Sequence, residues 1–345
     1  MTAELSHHSL IASRPPRIFR VILAMRHYSV KSKLTFFTLD NIVNDPDNRT
    51  IMNLIQEYKT KSVSISSYIN WFQLQYVPSH VISYLEFGDP KNENILICAP
   101  GLTRNAHDFD KIALKLSDNF RVISISYPGR GDSDYFKNPK HYNYYVYVKD
   151  TLLLLKKLNI KKPIWLGTSM GGIIGMILAS RYQGIFKAMI INDVGPVISH
   201  GSLNKIKKYA TQKHLFNDID SCKTHLKMIY SQFGISCEED WDYMTKYSFH
   251  KTEDDLYQMN YDSAIIDGIR IDKKNHKQDV VLWEIWRKIT CKLLLIHGAK
   301  SEILTEATID QMKKTRDFDI YRVDYAGHAP SLMTNDQIDF IKNWL

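Results

Sequence analysis

A serine, a carboxylate and a histidine, the three side chains that can together carry acyl transfer, occur in this chain in an informative order. The serine is Ser169, in the run Lys162-Pro163-Ile164-Trp165-Leu166-Gly167-Thr168-Ser169-Met170-Gly171-Gly172. The run reads as a short apolar strand, a glycine-flanked serine and then a helix over Ile173–Arg181. This is the G-x-S-x-G nucleophile elbow in the strand-turn-helix setting that it requires. So tight a turn excludes bulky neighbours, which accounts for Gly167 and Gly171, and it lifts the hydroxyl clear of the sheet. A glycine-rich strand-to-helix turn can also hold a phosphate on its backbone N–H groups. The test between these readings is whether an acid and a histidine follow in suitable places.

Both follow. Lys292-Leu293-Leu294-Leu295-Ile296-His297-Gly298 has a buried-strand pattern, and the loop after it carries Glu302. Ile320 to Tyr325 predicts another strand, and Ala326-Gly327-His328-Ala329-Pro330 is the loop beyond. Ser169, Glu302 and His328 each lie just past the carboxyl end of a predicted strand, where open α/β sheets place their sites.

This order and placement resemble the α/β-hydrolase fold. Further segments are similar to the same family. Ile95 to Asn105, with Pro100-Gly101-Leu102, looks like its oxyanion strand and loop; Arg121 to Asp134, with Pro128-Gly129-Arg130-Gly131, like the next strand and glycine turn; Asn192-Asp193-Val194-Gly195-Pro196 like the exit from the strand after the elbow. The resemblance runs from about residue 75 to the end, to a serine-nucleophile branch common in bacteria whose substrates are mostly unassigned. It implies that His328 is the general base for Ser169 and that Glu302 orients His328. The family usually carries aspartate there, so the longer side chain is a departure, and Asp193 is the alternative acid. The oxyanion donors implied are the backbone N–H groups of Met170 and Leu102.

The elements between these residues alternate. Strands are predicted at Ile82–Phe87, Ile95, Val122, Ile164, Ala188, Leu293 and Ile320, and helices at Asp108–Leu116, Tyr144–Leu158, Met170–Arg181, Thr305–Lys313 and Asn335–Leu345. Alternation of this kind implies a doubly wound, mostly parallel sheet. Residues 197–287 break the rhythm with a polar, mainly helical pattern. In the family an insertion here forms a cap, and Tyr209, Phe216, Tyr230, Phe233, Trp241, Tyr257 and Tyr261 are its candidate pocket aromatics. The expected organisation is therefore residues 1–72 as a basic N-terminal extension, 73–196 and 288–345 as the hydrolase core, and 197–287 as the helical cap. Within the first part, residues 34–72 are expected to be a poorly packed lead-in, with the sheet beginning near Gln73–Val77.

Charge and cysteine usage restrict the remaining classes. Residues 1–33 hold Arg14, Arg17, Arg20, Arg26, Lys31 and Lys33 against Glu4 alone, so most of the net charge of +8 lies there and the enzyme body is nearly balanced. That argues against nucleic-acid binding, which needs a clustered basic patch. The segment reads as a transit peptide or a disordered extension. The expected compartment is the cytoplasm, or the mitochondrial matrix if residues 1–28 are such a peptide. Cys98, Cys222, Cys237 and Cys291 show neither disulfide nor zinc spacing. Pro163 to Ser180 is uncharged, but its four glycines and its change of pattern at Ser169 oppose a membrane span. His297 is expected to be a packed or hydrogen-bonded core histidine, Asp324 structural, and Arg104 a solvated surface residue. No metal or organic cofactor is implied.

The function expected is hydrolysis of a carboxylic ester or thioester, with a small-molecule acyl substrate and an acyl-enzyme on Ser169. A dehalogenase or epoxide hydrolase would need aspartate at position 169. A carbon–carbon bond hydrolase of a diketone, a cofactor-free haloperoxidase-like activity, an acyltransferase and a non-catalytic binding protein on the same scaffold remain open. Substrate identity and oligomeric state are not legible.

Overall fold

The computed structural model describes residues 58–70, 74–268 and 278–345. The reading of residues 1–33 falls outside that range. Eight strands form one sheet: β1 (Tyr58–Ile65), β2 (His80–Phe87), β3 (Ile95–Ala99), β4 (Arg121–Ile125), β5 (Ile164–Thr168), β6 (Ala188–Asn192), β7 (Lys292–Gly298) and β8 (Asp319–Val323). Their spatial order is β1-β2-β4-β3-β5-β6-β7-β8. β1 and β2 run antiparallel to their neighbours, and from β4 onward all pairings are parallel.

The longer helices are α1 (Asp110–Leu116), α2 (Tyr144–Lys157), α3 (Met170–Arg181), α4 (His200–Ala210), α5 (Ile219–Ile229), α6 (Glu238–Ser248), α7 (Glu306–Lys313) and α8 (Asn335–Trp344). Local chemistry marks several starts. Asn143 caps α2 by accepting the Val146 N–H, and Thr305 caps α7 by accepting that of Thr308. Alternate strand residues face opposite sides. Ile95, Ile97, Ile123, Trp165, Met189 and Leu295 pack under α2, α3 and α7, whereas Leu96, Cys98, Val122, Leu166, Ile190 and Leu294 pack under α1 and α8. Two apolar faces on each central strand explain why these runs read as continuously hydrophobic.

The sheet starts earlier than its sequence suggests. Tyr58–Ile65, expected to be lead-in, is a full edge strand paired from Tyr58↔Phe87 to Ile65↔His80. Only Val63 and Ile65 are buried in it, and its other positions are polar or half-exposed, which leaves almost no period-two signal. Gln75–Val77 joins no part of the main sheet and pairs instead with Tyr68–Asn70 in a separate ribbon.

Between β6 and β7 the chain leaves the sheet to form the cap. Val197–Ile198 pairs with Val280–Val281 where the insertion departs and returns. Besides α4, α5 and α6 the cap contains a small antiparallel sheet of Leu215–Phe216, Tyr257–Met259 and Phe249–Lys251. The cap is thus helical with a β element that its polar, lysine-rich sequence does not announce. The uncharged run from Pro163 is divided into β5 and the twelve-residue α3, and among the described residues no helix is long and apolar enough to cross a membrane.

Position 171 is where the sheet and α3 come closest. A Cβ there would lie 2.1 Å from the Ala99 carbonyl oxygen, a backbone atom that cannot move aside. Gly171→Ala is expected to cost about 3 kcal/mol or more, read as a lowered thermal midpoint; a midpoint within a degree of the parent would show that the elbow relaxes more freely than its packing implies.

Candidate active site

The chain winds outward from β3 in both directions, to β4 on one side and β5 on the other, and a crevice opens at the carboxyl ends of β3 and β5. Ser169 stands there between β5 and α3, with φ 49° and ψ −109°. This strained backbone is the elbow, and it turns the hydroxyl away from the helix that follows. The Gly101 loop after β3 lies alongside, close enough that a Cβ on Gly101 would be 4.0 Å from that of Ser169. The Gly171 N–H bonds the Pro100 carbonyl at 3.1 Å and ties the two turns together. Met170 opens α3, where first-turn N–H groups have no partner within the helix.

His328, in the loop between β8 and α8, reaches Ser169 Oγ with Nε2 at 3.0 Å. Its Nδ1 lies 2.8 Å from Asp193 Oδ2. A carboxylate only accepts, so Nδ1 carries the proton, and in the neutral ring Nε2 is left to accept from the serine. Asp193 follows β6 with φ +54°, and its side chain is fully buried. It also accepts the Gly298 N–H at 3.0 Å, the Ser301 hydroxyl at 2.6 Å and His297 Nδ1 at 3.1 Å. Burial pushes its carboxyl up. The hydrogen bonds from His297, His328 and Ser301, together with the charge on His328, outweigh that and hold it below the ordinary aspartate range.

Glu302, the acid expected from sequence, is not on the histidine. Its side chain points outward, more than half exposed, and pairs with Lys205 of α4. The loop after β7 contributes the neighbouring residue instead: the Ser301 hydroxyl donates to Asp193 and accepts the N–H groups of Ile303 and Leu304. With Ser301 turned inward, Glu302 is carried to the surface. His297 is buried and hydrogen-bonded as expected, but its partner is the carboxylate at the centre of the site. Arg104 is not solvated: it is 4% exposed, forks onto Asp108 and donates to Ser248.

Asn192 and Gln232 help to hold the histidine loop. Asn192 donates to the Pro330 carbonyl at 2.8 Å. Gln232, in the cap, accepts the Gly327 N–H on its backbone carbonyl at 2.7 Å. A lone Asn at a strand end and a lone Gln in a polar insertion carry no signal that separates them from their neighbours. Of the candidate pocket aromatics, Tyr230 and Phe233 line the cavity over Ser169, with Leu102, Phe109, Met228 and Ile229 supplying more of its apolar wall; its volume is about 310 Å³. Trp241 and Tyr261 are buried within the cap and against the core, and Phe216 and Tyr257 belong to the small sheet. Nothing is described of the Tyr209 side chain. Among the described residues no cluster of His, Cys, Asp or Glu has the form of a metal site.

Known proteins share this fold. Residues 94–333 fit the α/β-hydrolase fold family, and the chain belongs to that family. It is 31% identical over 265 residues to a 3-hydroxybutyrate-oligomer hydrolase of Cupriavidus necator, covering 75% of this chain and 90% of the relative. A crystal structure from Rickettsia typhi, provisionally described as a hydrolase, is 58% identical with a TM-score of 0.79 and covers 83% of this chain and 98% of that one. An α/β hydrolase from Novosphingobium aromaticivorans is 26% identical, TM-score 0.71, covering 83% and 97%. The chain is a hydrolase of this fold with a cap.

Asp193→Asn is expected to lower turnover of a chromogenic ester on the order of 10³–10⁴-fold, and Glu302→Gln by less than about threefold. The reverse ranking would return the acid to position 302. The folded carboxyl of Asp193 titrates below its unfolded value. Its contribution to stability is therefore fully present above about pH 4 and is lost as pH falls through the folded value. Acid unfolding curves of the parent should accordingly fall more steeply below pH 4 than those of Asp193→Asn; parallel curves would contradict this.

Proposed function

We propose that the protein is a serine hydrolase of carboxylic esters, acting on short hydroxy-acid esters through an acyl-enzyme. The observation that carries this reading is the continuous chain from Ser169 Oγ through His328 to buried Asp193. His328 Nε2 takes the hydroxyl proton as Ser169 Oγ bonds to the ester carbonyl carbon, and the carbonyl oxygen becomes an anion held by the Met170 and Leu102 N–H groups. As the tetrahedral adduct collapses, the carbon–oxygen bond to the leaving alcohol breaks and His328 returns the proton to that oxygen. Water then repeats the sequence on the acyl-enzyme: His328 removes a proton from it, the acid is released, and Ser169 recovers its hydrogen. Asp193 holds the ring and stabilises the imidazolium.

Two observations support the substrate class. The relative from Cupriavidus necator is a hydrolase of 3-hydroxybutyrate oligomers, and a cavity of about 310 Å³ is at the small end for ligand sites, suited to a short acyl chain. Its apolar wall favours the acyl part, while Lys205 and Glu302 give it a polar rim. The free cysteines fit a reducing compartment such as the cytoplasm.

The test pairs fluorophosphonate labelling with hydrolysis of p-nitrophenyl esters of graded acyl length and of a 3-hydroxybutyrate dimer. Labelling and turnover that disappear in Ser169→Ala are expected, with short acyl chains and the dimer preferred. A folded parent protein that neither labels nor turns over any ester would sink the proposal.

A further inference from the structure

Arg130 lies in the glycine turn after β4, and its sequence context suggests nothing beyond a turn. Yet its side chain is fully buried, among the largest such side chains in the protein. Gly129 and Gly131 on either side adopt φ of +81° and +53°. A Cβ on Gly129 would lie 2.7 Å from the Tyr142 ring, so the turn packs too tightly for any other residue. The cap holds this turn from outside: Gly131 donates to the Asn260 carbonyl at 3.1 Å, and Asp262 donates to that of Gly129 at 2.8 Å. Gripped in this way, the turn directs the guanidinium into the protein.

What the guanidinium meets there is specific. Nε donates to the Leu102 carbonyl at 2.7 Å, Nη1 to the Pro128 carbonyl at 2.6 Å and to the Tyr147 hydroxyl at 2.7 Å, and Nη2 lies 3.6 Å from Met170 Sδ. The Tyr147 ring also lies under it, with the guanidinium carbon 5.0 Å from the centroid. These partners are neutral. A buried guanidinium answered by dipoles rather than by a carboxylate is unfavourable to fold around. Leu102 and Met170 are the two residues whose N–H groups the serine-hydrolase reading assigns to the oxyanion.

We propose that Arg130 is the positioning residue of the oxyanion hole: it fixes the Leu102 loop against α3 and supplies a positive charge behind both donors. This rests on the serine-hydrolase reading. The bond to the Leu102 carbonyl sets the orientation of that residue and hence of its N–H, which belongs to the peptide on its other side. The fixed charge favours the adduct, which carries a negative oxygen, over the neutral ester, so its effect falls on kcat more than on KM. The bonds from the cap to the Arg130 turn then make the cap part of the oxyanion support.

The experiment compares the full-length parent with Arg130→Met, Arg130→Lys and Tyr147→Phe, each checked for folding by thermal melt. Arg130→Met should lower kcat about 10–100-fold, less than or comparable to loss of a direct donor, with KM within about threefold. Fluorophosphonate labelling should slow in parallel, and a boronic acid that forms a tetrahedral adduct on Ser169 should bind at least tenfold more weakly. Arg130→Lys keeps the charge and should recover part of kcat, and Tyr147→Phe should show a smaller loss in the same direction. If Arg130→Met does not fold, the lysine and Tyr147 variants decide the matter by their kcat and boronic-acid affinity. Parental kcat and labelling rates in folded variants would overturn the proposal, as would a loss confined to KM. A parent that neither labels nor hydrolyses esters would remove the hydrolase reading and this inference with it, an outcome distinct from equal labelling of parent and variants.

Discussion

The site is organised around one buried carboxylate. Asp193 accepts hydrogen bonds from His328, His297, Ser301 and the Gly298 backbone, and those donors come from the loop after β8, from β7 itself and from the loop after it. A carboxylate deprived of water is unfavourable unless its lone pairs are met, so the four donors and the acid hold each other in place. The consequence for chemistry is that the ring of His328 is fixed by a group that cannot easily move. The consequence for the fold is that the carboxyl ends of β6, β7 and β8 converge on one point.

The other constraint is steric. α3 runs so close to β3 that Gly171 nearly touches the Ala99 carbonyl, and the Trp165 indole of β5 donates to the Gly171 carbonyl at 3.1 Å. This contact places the start of α3 beside the Gly101 loop, where the Gly171 N–H bonds the Pro100 carbonyl. Bulk at position 171 would push the two apart. The glycines around Ser169 therefore serve geometry, while Asp193 and its donors serve electrostatics, and the hydroxyl lies where the two meet.

Much of this was legible in the sequence. The strands β3 to β7 are mostly apolar runs because both their faces are covered, and the elbow announces itself by its glycines. The acid was not legible, for a reason visible in the pairing of Ile296 with Asn192. β6 and β7 are neighbours, so a carboxylate just beyond either one arrives near the same place. Which of them meets His328 depends on side-chain direction, set by the positive φ of Asp193 and the inward turn of Ser301, and neither follows from residue type. β1 was missed because an edge strand with two buried residues has little pattern to show. Arg130 was hidden because a buried and a solvated arginine in a glycine turn look alike in sequence.

The cap's contacts with the core are unequal, and this limits how it can move. Toward the histidine loop it is joined by backbone bonds from Gly327 to Gln232 and from Ser331 to Phe233, and toward the oxyanion loop by the Tyr230 and Thr103 hydroxyls at 2.7 Å. Pulling these apart would disturb His328 and the residue next to Leu102 together. On the α4 side the charged contact is the exposed Lys205–Glu302 pair, and exposed pairs contribute about 0–1 kcal/mol. Opening on the α4 side would break this pair and the Ser202 bond to the Glu302 carbonyl, whereas lifting the whole cap would also break the bonds to the histidine loop. The same asymmetry places Glu302, which pairs with Lys205 rather than with His328, on the side with fewer contacts to the histidine loop.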